Sequence, residues 1–228
     1  MSLDLTGDLI ALFRQVVDIE SVSGNETELA DAVELALRHQ PHLRVERDGD
    51  TVIARTELGR AERVVIAGHL DTVPVAGNLP STLIGDVVHG RGTVDMKGGV
   101  AVALAAAAAL SEPTRDVSWI FYDHEEVEAS LNSLTRIAAK RPEWLAGDFA
   151  VLMEPTSARI EGGCQGTLRF TVTTSGLAAH SARSWLGHNA IHDAAEPLAR
   201  LAGYRARVVE VDGLSYHEGL NAVGISGG

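Results

Sequence analysis

Arg63-Val64-Val65-Ile66-Ala67-Gly68 runs directly into His69-Leu70-Asp71. A short β-branched run with no polar interruption is the pattern of a strand buried on both faces. Two more runs of this kind follow: residues 117–122 end at Asp123, and residues 149–153 end at Glu154. Helical stretches, residues 97–110 and 131–140, lie between them. Strands alternating with helices predict an α/β fold, a layered domain around a sheet. The acidic and imidazole groups at the strand ends would then converge at the carboxyl edge, where such sheets bind ligands.

Outward from that core, residues 3–19 repeat apolar side chains at helical spacing (Leu5, Leu9, Leu12, Phe13, Val16, Val17). Ser23-Gly24-Asn25-Glu26 offers a turn and cap for a second helix that reaches about His39. Residues 44–56 read as two strands around the hairpin signal Asp48-Gly49-Asp50. Beyond Glu154 the pattern changes. Residues 168–174 alternate as a strand does, a Gly-rich loop carries Ala179-His180-Ser181, residues 190–201 are helical, and residues 208–211 and 220–225 read as strands. This is a β-α-β module following the sheet, and the expected division is residues 1–163 and 164–228.

The 228 residues are 45% hydrophobic and 22% charged, a composition that can bury a real core. A net charge of −12 argues against nucleic acid or an anionic membrane as partner, since both are held by clustered Lys and Arg. A small-molecule substrate fits better. Cys164 is the single cysteine, which excludes an internal disulfide framework, and the first twenty residues lack a basic stretch followed by an apolar one. Both features make the cytoplasm the expected location. The longest apolar run, residues 100–110, is mostly alanine and about half the roughly 20 residues that a membrane span needs. It is expected to be a buried helix.

The strand ends carry the chemistry. In His69-x-Asp71, residues two apart on a strand share a face, so the carboxylate can orient an imidazole that binds metal. Asp95 precedes the alanine helix, where Asp is a preferred N-cap. Glycines on both sides also let backbone approach a ligand closely there. Glu125 and Glu126 repel each other unless a cation or a shared proton relieves them. One can bind an ion while the other serves as general base, the division that metal-assisted hydrolysis requires. Glu154 ends a buried strand and must be solvated, paired or metal-bound, and Pro155 stops that strand. Such oxygen and imidazole donors suit Zn, Co or Mn.

Gly68-His69-Leu70-Asp71-Thr72-Val73-Pro74, Gly90-Arg91-Gly92-Thr93-Val94-Asp95-Met96-Lys97-Gly98-Gly99, Tyr122-Asp123-His124-Glu125-Glu126 and Met153-Glu154-Pro155 resemble, in order and spacing, the co-catalytic zinc amidohydrolases of the M20 peptidase family. The likeness spans essentially the whole chain. Gly163-Cys164-Gln165-Gly166-Thr167-Leu168-Arg169 and residues 180–192 resemble most the branch that removes a succinyl group from a diamino acid.

The resemblance implies a zinc-peptidase-like catalytic domain with a mixed sheet and an inserted α+β dimerisation lid. It implies two zincs, with cobalt able to substitute. Asp95 would bridge them, His69 and Glu154 would complete one site, and Glu126 would serve the other. Asp71 would orient His69, and Glu125 would be the general base. His180 would reach the partner subunit's site to stabilise the oxyanion of an N-acyl amino acid substrate in a homodimer. A cis peptide after Asp95 is implied as well. Relatives that remove other acyl groups share this pattern, so a different deacylase specificity and a non-catalytic metal-binding fragment remain alternatives.

The family pattern continues beyond the last residues here and supplies a further histidine to the second zinc. That metal is therefore expected to rest on Asp95 and Glu126 alone. Asn132-Ser133-Leu134-Thr135 stands where the family has a glycine-rich turn and is expected to alter the start of the helix there.

Overall fold

The computed structural model describes residues 3–163 and 165–227. Cys164, Gly228 and the first two residues lie outside the described residues, and with them the single-cysteine reading and the outer limits of the two expected domains. The chain divides into two compact units, Met1–Ala158 and Arg159–Gly228.

The first unit opens with α1 (Leu9–Asp18). This helix starts later than the apolar spacing suggests, because Asp8 takes the N-cap and its carboxylate accepts the Ala11 N–H at 2.8 Å. α2 (Thr27–Arg38) follows, then the hairpin of β1 (Arg44–Asp48) and β2 (Thr51–Arg55). Gly49 sits in its turn at φ +62°, a conformation that only glycine adopts cheaply. β3 (Arg63–His69) comes next, followed by the short hairpin β4 (Thr82–Ile84) and β5 (Val87–His89). Those three-residue strands are too short to register as alternation in the sequence. α3 (Lys97–Ala109), β6 (Asp116–Tyr122), α4 (Ser133–Lys140) and β7 (Phe149–Leu152) complete the unit.

The main sheet has the order β1-β2-β6-β3-β7. β1, β2 and β6 pair antiparallel, while β6, β3 and β7 run parallel, so the α/β sheet is mixed. Alternation along β6 separates two cores. Val117, Trp119 and Phe121 pack with α1, α2 and α3, and Ile120 and Tyr122 pack with Val65, Ala67, Ile137 of α4 and Trp144. Layers of helix on both sheet faces follow. α3 brings Val100, Ala101, Ala103, Leu104 and Ala107 to the core, and its small residues allow close approach. Val102 is 44% exposed, so one side of α3 meets solvent and the helix is less buried than its composition suggests. No helix among the described residues is long and apolar enough to cross a membrane.

The second unit holds α5 (Ala190–Asp193), α6 (Ala195–Ala202) and the hairpin β8 (Val208–Val211) and β9 (Leu214–His217). Three expectations change here. The helix over residues 190–201 breaks near Ala194: Pro197 has no N–H to give the carbonyl four residues earlier, and its ring clashes there. Residues 168–174 and 220–225 form no strand. Alternating apolar side chains need a neighbouring strand to bond with, and none pairs with them among the described residues. Leu168 at 83% and Val223 at 84% exposure show that these runs pack against little. The partner of residues 208–211 is instead the adjacent 214–217, joined through Asp212 (φ +50°) and Gly213 (φ +80°), an Asp-Gly hairpin turn.

Candidate metal centre

The three parallel strands end together, and a candidate site residue stands at or just beyond each end. His69 is the last residue of β3 and is fully buried. Its Nδ1 lies 2.9 Å from the main-chain oxygen of Asp71, with the Asp71 carboxylate 3.4 Å away. A carbonyl accepts only from an N–H, so Nδ1 carries a proton. Nε2 is turned to Asp95 Oδ1 at 3.0 Å, into the cluster, where a ligand nitrogen belongs.

Asp95 is 53% exposed at its side chain and does not cap α3. The N-cap is Met96, which has no side-chain cap bond, and the Asp95–Met96 peptide is cis. Met96 is buried, and its Sδ receives the His69 N–H at 3.2 Å. Two glycines permit this closeness. A Cβ on Gly68 would lie 2.8 Å from Met96 Cε, and one on Gly99 only 2.3 Å from the main-chain oxygen of Met153, next to Glu154.

Lys97 fixes the other side of the segment. Its buried Nζ donates to the Ile19 carbonyl at 2.6 Å and the Val17 carbonyl at 3.4 Å. Burial lowers this ammonium to about 8, against the pull of Asp18 and Glu20.

The acidic pair follows β6. Glu125 is exposed and Glu126 half-buried, and their main-chain N–H groups donate to Asp71 Oδ1 and Oδ2, each at 3.0 Å. Ser23 adds its hydroxyl to Asp71 at 2.7 Å. Burial opposes the charge of Asp71, but these donors and His69 outweigh it and bring the carboxyl down to about 2. Burial likewise opposes an imidazolium at His69, yet Asp71, Glu154 and Asp95 lift it to about 9. Glu126 and Glu154 are both raised, first by burial and then by the neighbouring carboxylates, with His69 pulling the other way.

Asn132 caps α4 by accepting the Leu134 N–H at 2.9 Å, so the departure at residues 132–135 supplies its own helix start.

One ligand atom each from His69, Asp95 and Glu126 lie within 4.8 Å of one another. Glu154 is near enough for its charge to act on His69 and on the acidic pair. Crowded carboxylates that raise one another, beside an imidazole with Nε2 turned inward, fit a divalent cation of the zinc, cobalt or manganese type. His180 belongs to the second unit, where it is exposed. There it caps the short turn Ser181–Leu186, its Nδ1 accepting the Ala182 N–H at 3.1 Å.

The sequence reading missed Glu26 and His124. Glu26 reads as part of a helix cap, yet it makes no cap bond and is fully buried beside His124.

A mixed α/β sheet whose carboxyl edge gathers histidine and carboxylates has the layout of a metal-dependent hydrolase. The sequence pattern of peptidase family M20/M25/M40 matches residues 65–218, and the chain belongs to that family. It is 54% identical over 227 residues to the "Putative succinyl-diaminopimelate desuccinylase DapE" of Mycobacterium tuberculosis, covering 99% of this chain and 64% of that protein. It is 50% identical over 226 residues to the succinyl-diaminopimelate desuccinylase of Corynebacterium glutamicum, covering 97% of this chain and 61% of that one. The chain thus spans somewhat under two thirds of the length of these relatives.

Among solved structures, the M20 family metallo-carboxypeptidase Sso-CP2 of Sulfolobus solfataricus shares the fold at a TM-score of 0.58 and 18% identity, over 65% of this chain and 37% of that one. The aminopeptidase PepT of Bacillus cereus does so at 0.59 and 17%, over 94% and 65%.

Proposed function

We propose that the protein hydrolyses the amide of N-succinyl-LL-2,6-diaminopimelate, with His69, Asp95, Glu126 and Glu154 as ligands of zinc, for which cobalt can substitute. The observation that carries this reading is the meeting of His69, Asp95 and Glu126 ligand atoms within 4.8 Å at the sheet edge. The names of the two relatives that are half identical over nearly the whole chain support the substrate. When bound, the cation supplies Lewis acidity that polarises the amide carbonyl and acidifies water.

Glu125 is the general base. Its main-chain N–H is tied to Asp71, while its side chain belongs to an exposed residue free to meet substrate. Glu125 takes a proton from the attacking water as the C–O bond forms, and returns it to the diaminopimelate nitrogen as the C–N bond breaks. Succinate and LL-diaminopimelate leave. Asp71 holds the His69 segment and the acidic pair in one register, so both sides of the site move together.

In this reading residues 164–228 begin a dimerisation lid. His180 serves the oxyanion in the site of the partner subunit, and the enzyme works in the cytoplasm as a homodimer.

The test is succinate release by the purified chain in excess zinc or cobalt, with N-acetylornithine as parallel substrate. Release that a chelator abolishes and that Glu125→Gln reduces by about a hundred- to ten-thousandfold, the range for a lost general base, is the expected result. Faster release of acetate than of succinate would assign another acyl specificity, and cobalt binding without turnover would leave a metal-binding fragment.

A further inference from the structure

Three consecutive main-chain amides in the turn after β6 each meet a buried carboxylate. His124 N–H donates to Glu26 Oε1 at 3.3 Å, Glu125 N–H to Asp71 Oδ1 at 3.0 Å and Glu126 N–H to Asp71 Oδ2 at 3.0 Å. His124 has φ +61°. Successive amides around a left-handed residue form a concavity of donors that favours an anion. Here two anions fill it from different parts of the chain: Asp71 follows β3, and Glu26 precedes α2.

Glu26 is fully buried, and its contacts do not explain it as a helix cap. Oε1 accepts the Gly24 N–H at 3.0 Å and faces His124 Nδ1 at 3.5 Å, while Oε2 has no hydrogen-bond partner among the described residues. The same Nδ1 lies 2.8 Å from Asp123 Oδ2, so the imidazole is gripped between two acids. Burying a carboxyl group with one oxygen unsatisfied is costly. Apart from the Gly24 amide in its own loop, what the group holds is the turn that bears the acidic pair. Asp71 fixes the amides of Glu125 and Glu126, and Ser133 holds the main chain of Asp123, its hydroxyl accepting the Asp123 N–H at 3.0 Å and its N–H donating to the Asp123 carbonyl at 3.2 Å. Between these two holds the His124 amide, at the left-handed residue where the turn changes direction, is met by Glu26.

We propose that Glu26 is a positioning residue for the acidic pair, holding the His124 end of the turn while Asp71 holds the other. Glu125 and Glu126 are thereby presented at a fixed place beside His69 and Asp95. The inference rests on the metal-centre reading for its consequence, though the hold itself needs no metal.

Two measurements on the whole chain test it: cobalt(II) titration followed by visible absorption, and deuterium exchange of the metal-free chain over residues 122–127. Glu26→Ala is expected to weaken cobalt binding at least ~10-fold, as for groups behind metal ligands, whereas Glu26→Gln, which keeps the acceptor oxygen, stays within ~3-fold. Exchange should rise over residues 122–127 in Glu26→Ala and stay unchanged in the rest of the sheet. Glu26→Asp keeps the charge but withdraws the oxygen by a methylene, and it decides by the same criteria if the alanine variant does not fold.

Unchanged cobalt affinity and unchanged exchange in a folded Ala or Asp variant would overturn the proposal. So would a uniform rise in exchange with unchanged affinity, the mark of a merely structural residue. Absence of cobalt binding by the unsubstituted chain would remove the metal-centre reading, and the exchange comparison would still decide whether Glu26 holds the turn.

Discussion

β6 and β7 read alike in the sequence and sit in opposite surroundings. Both are short apolar runs that end on an acidic residue, yet all seven residues of β6 are buried and all four of β7 are exposed. β6 has β2 on one side and β3 on the other, and helices cover both its faces. Among the described residues β7 bonds only to β3, and Phe149 and Leu152 are 66% and 57% exposed. A hydrophobic run states that a strand can be buried, and its neighbours determine whether it is. The two strands nonetheless deliver their acids to the same edge, because parallel pairing to β3 aligns their ends whatever covers their faces.

The sharpest way to break this contrast is at Phe121, fully buried in the core beneath α1–α3. Phe121→Ala is expected to cost about 3–5 kcal/mol in urea unfolding. A loss under ~1 kcal/mol would mean that β6 is less enclosed than its neighbours imply. Gly99→Ala is the next largest. Its Cβ would meet the Met153 oxygen, and main chain cannot rotate aside as a side chain can. A cost of about 1–3 kcal/mol is expected, with weaker cobalt binding because α3 must back away from the segment that carries Glu154. Full cobalt affinity in this variant would show that the approach of α3 to β7 does not set the site.

The fold of the first unit was legible because its signals are local and agree: β-branched runs, helical spacing, and Asp48-Gly49-Asp50 at the hairpin. The meeting of His69, Asp95 and Glu126 was legible because strand ends in such a sheet converge. Glu26 was not, since a carboxylate in a Ser-Gly-Asn-Glu turn looks like a cap, and only the fold brings the turn after β6 onto it. The main-chain bond from His69 to Asp71 was also hidden, because spacing shows which residues share a face but not which atom of Asp71 the imidazole meets. In the second unit the alternation of residues 168–174 promised a strand, but pairing depends on a neighbour that the local pattern does not contain.

At the far end of β6 from the site, Asp116 accepts from the Thr56 hydroxyl at 2.8 Å and from the Leu58 and Arg60 N–H groups at 2.9 Å each. Burial works against its charge, but these donors and Arg63 hold it below the usual carboxylate range. A carboxyl that is more acidic folded than unfolded contributes its stability above the unfolded value near 3.9 and loses it as pH falls through the folded one. Asp116→Asn should therefore be less stable by about 1–2 kcal/mol near pH 7. The gap between the two proteins should close as the pH falls through the lowered, folded-state value of Asp116. A gap independent of pH would assign the loss to shape, not charge.

Phe149 gives the smallest expected effect and the most pointed one. With two thirds of its surface already in solvent, little burial is lost on truncation, and Phe149→Ala is expected to change unfolding stability by no more than about 0.5 kcal/mol. The comparison with Phe121 then holds: the same residue type on the same sheet, separated by neighbours alone. A loss approaching that of Phe121 would mean that β7 is covered in solution. An edge strand with unpaired main-chain groups and apolar side chains is a surface on which another chain can add. Measuring both variants across a range of protein concentrations separates the cases, because stability gained from association rises with concentration while stability from the chain's own core does not.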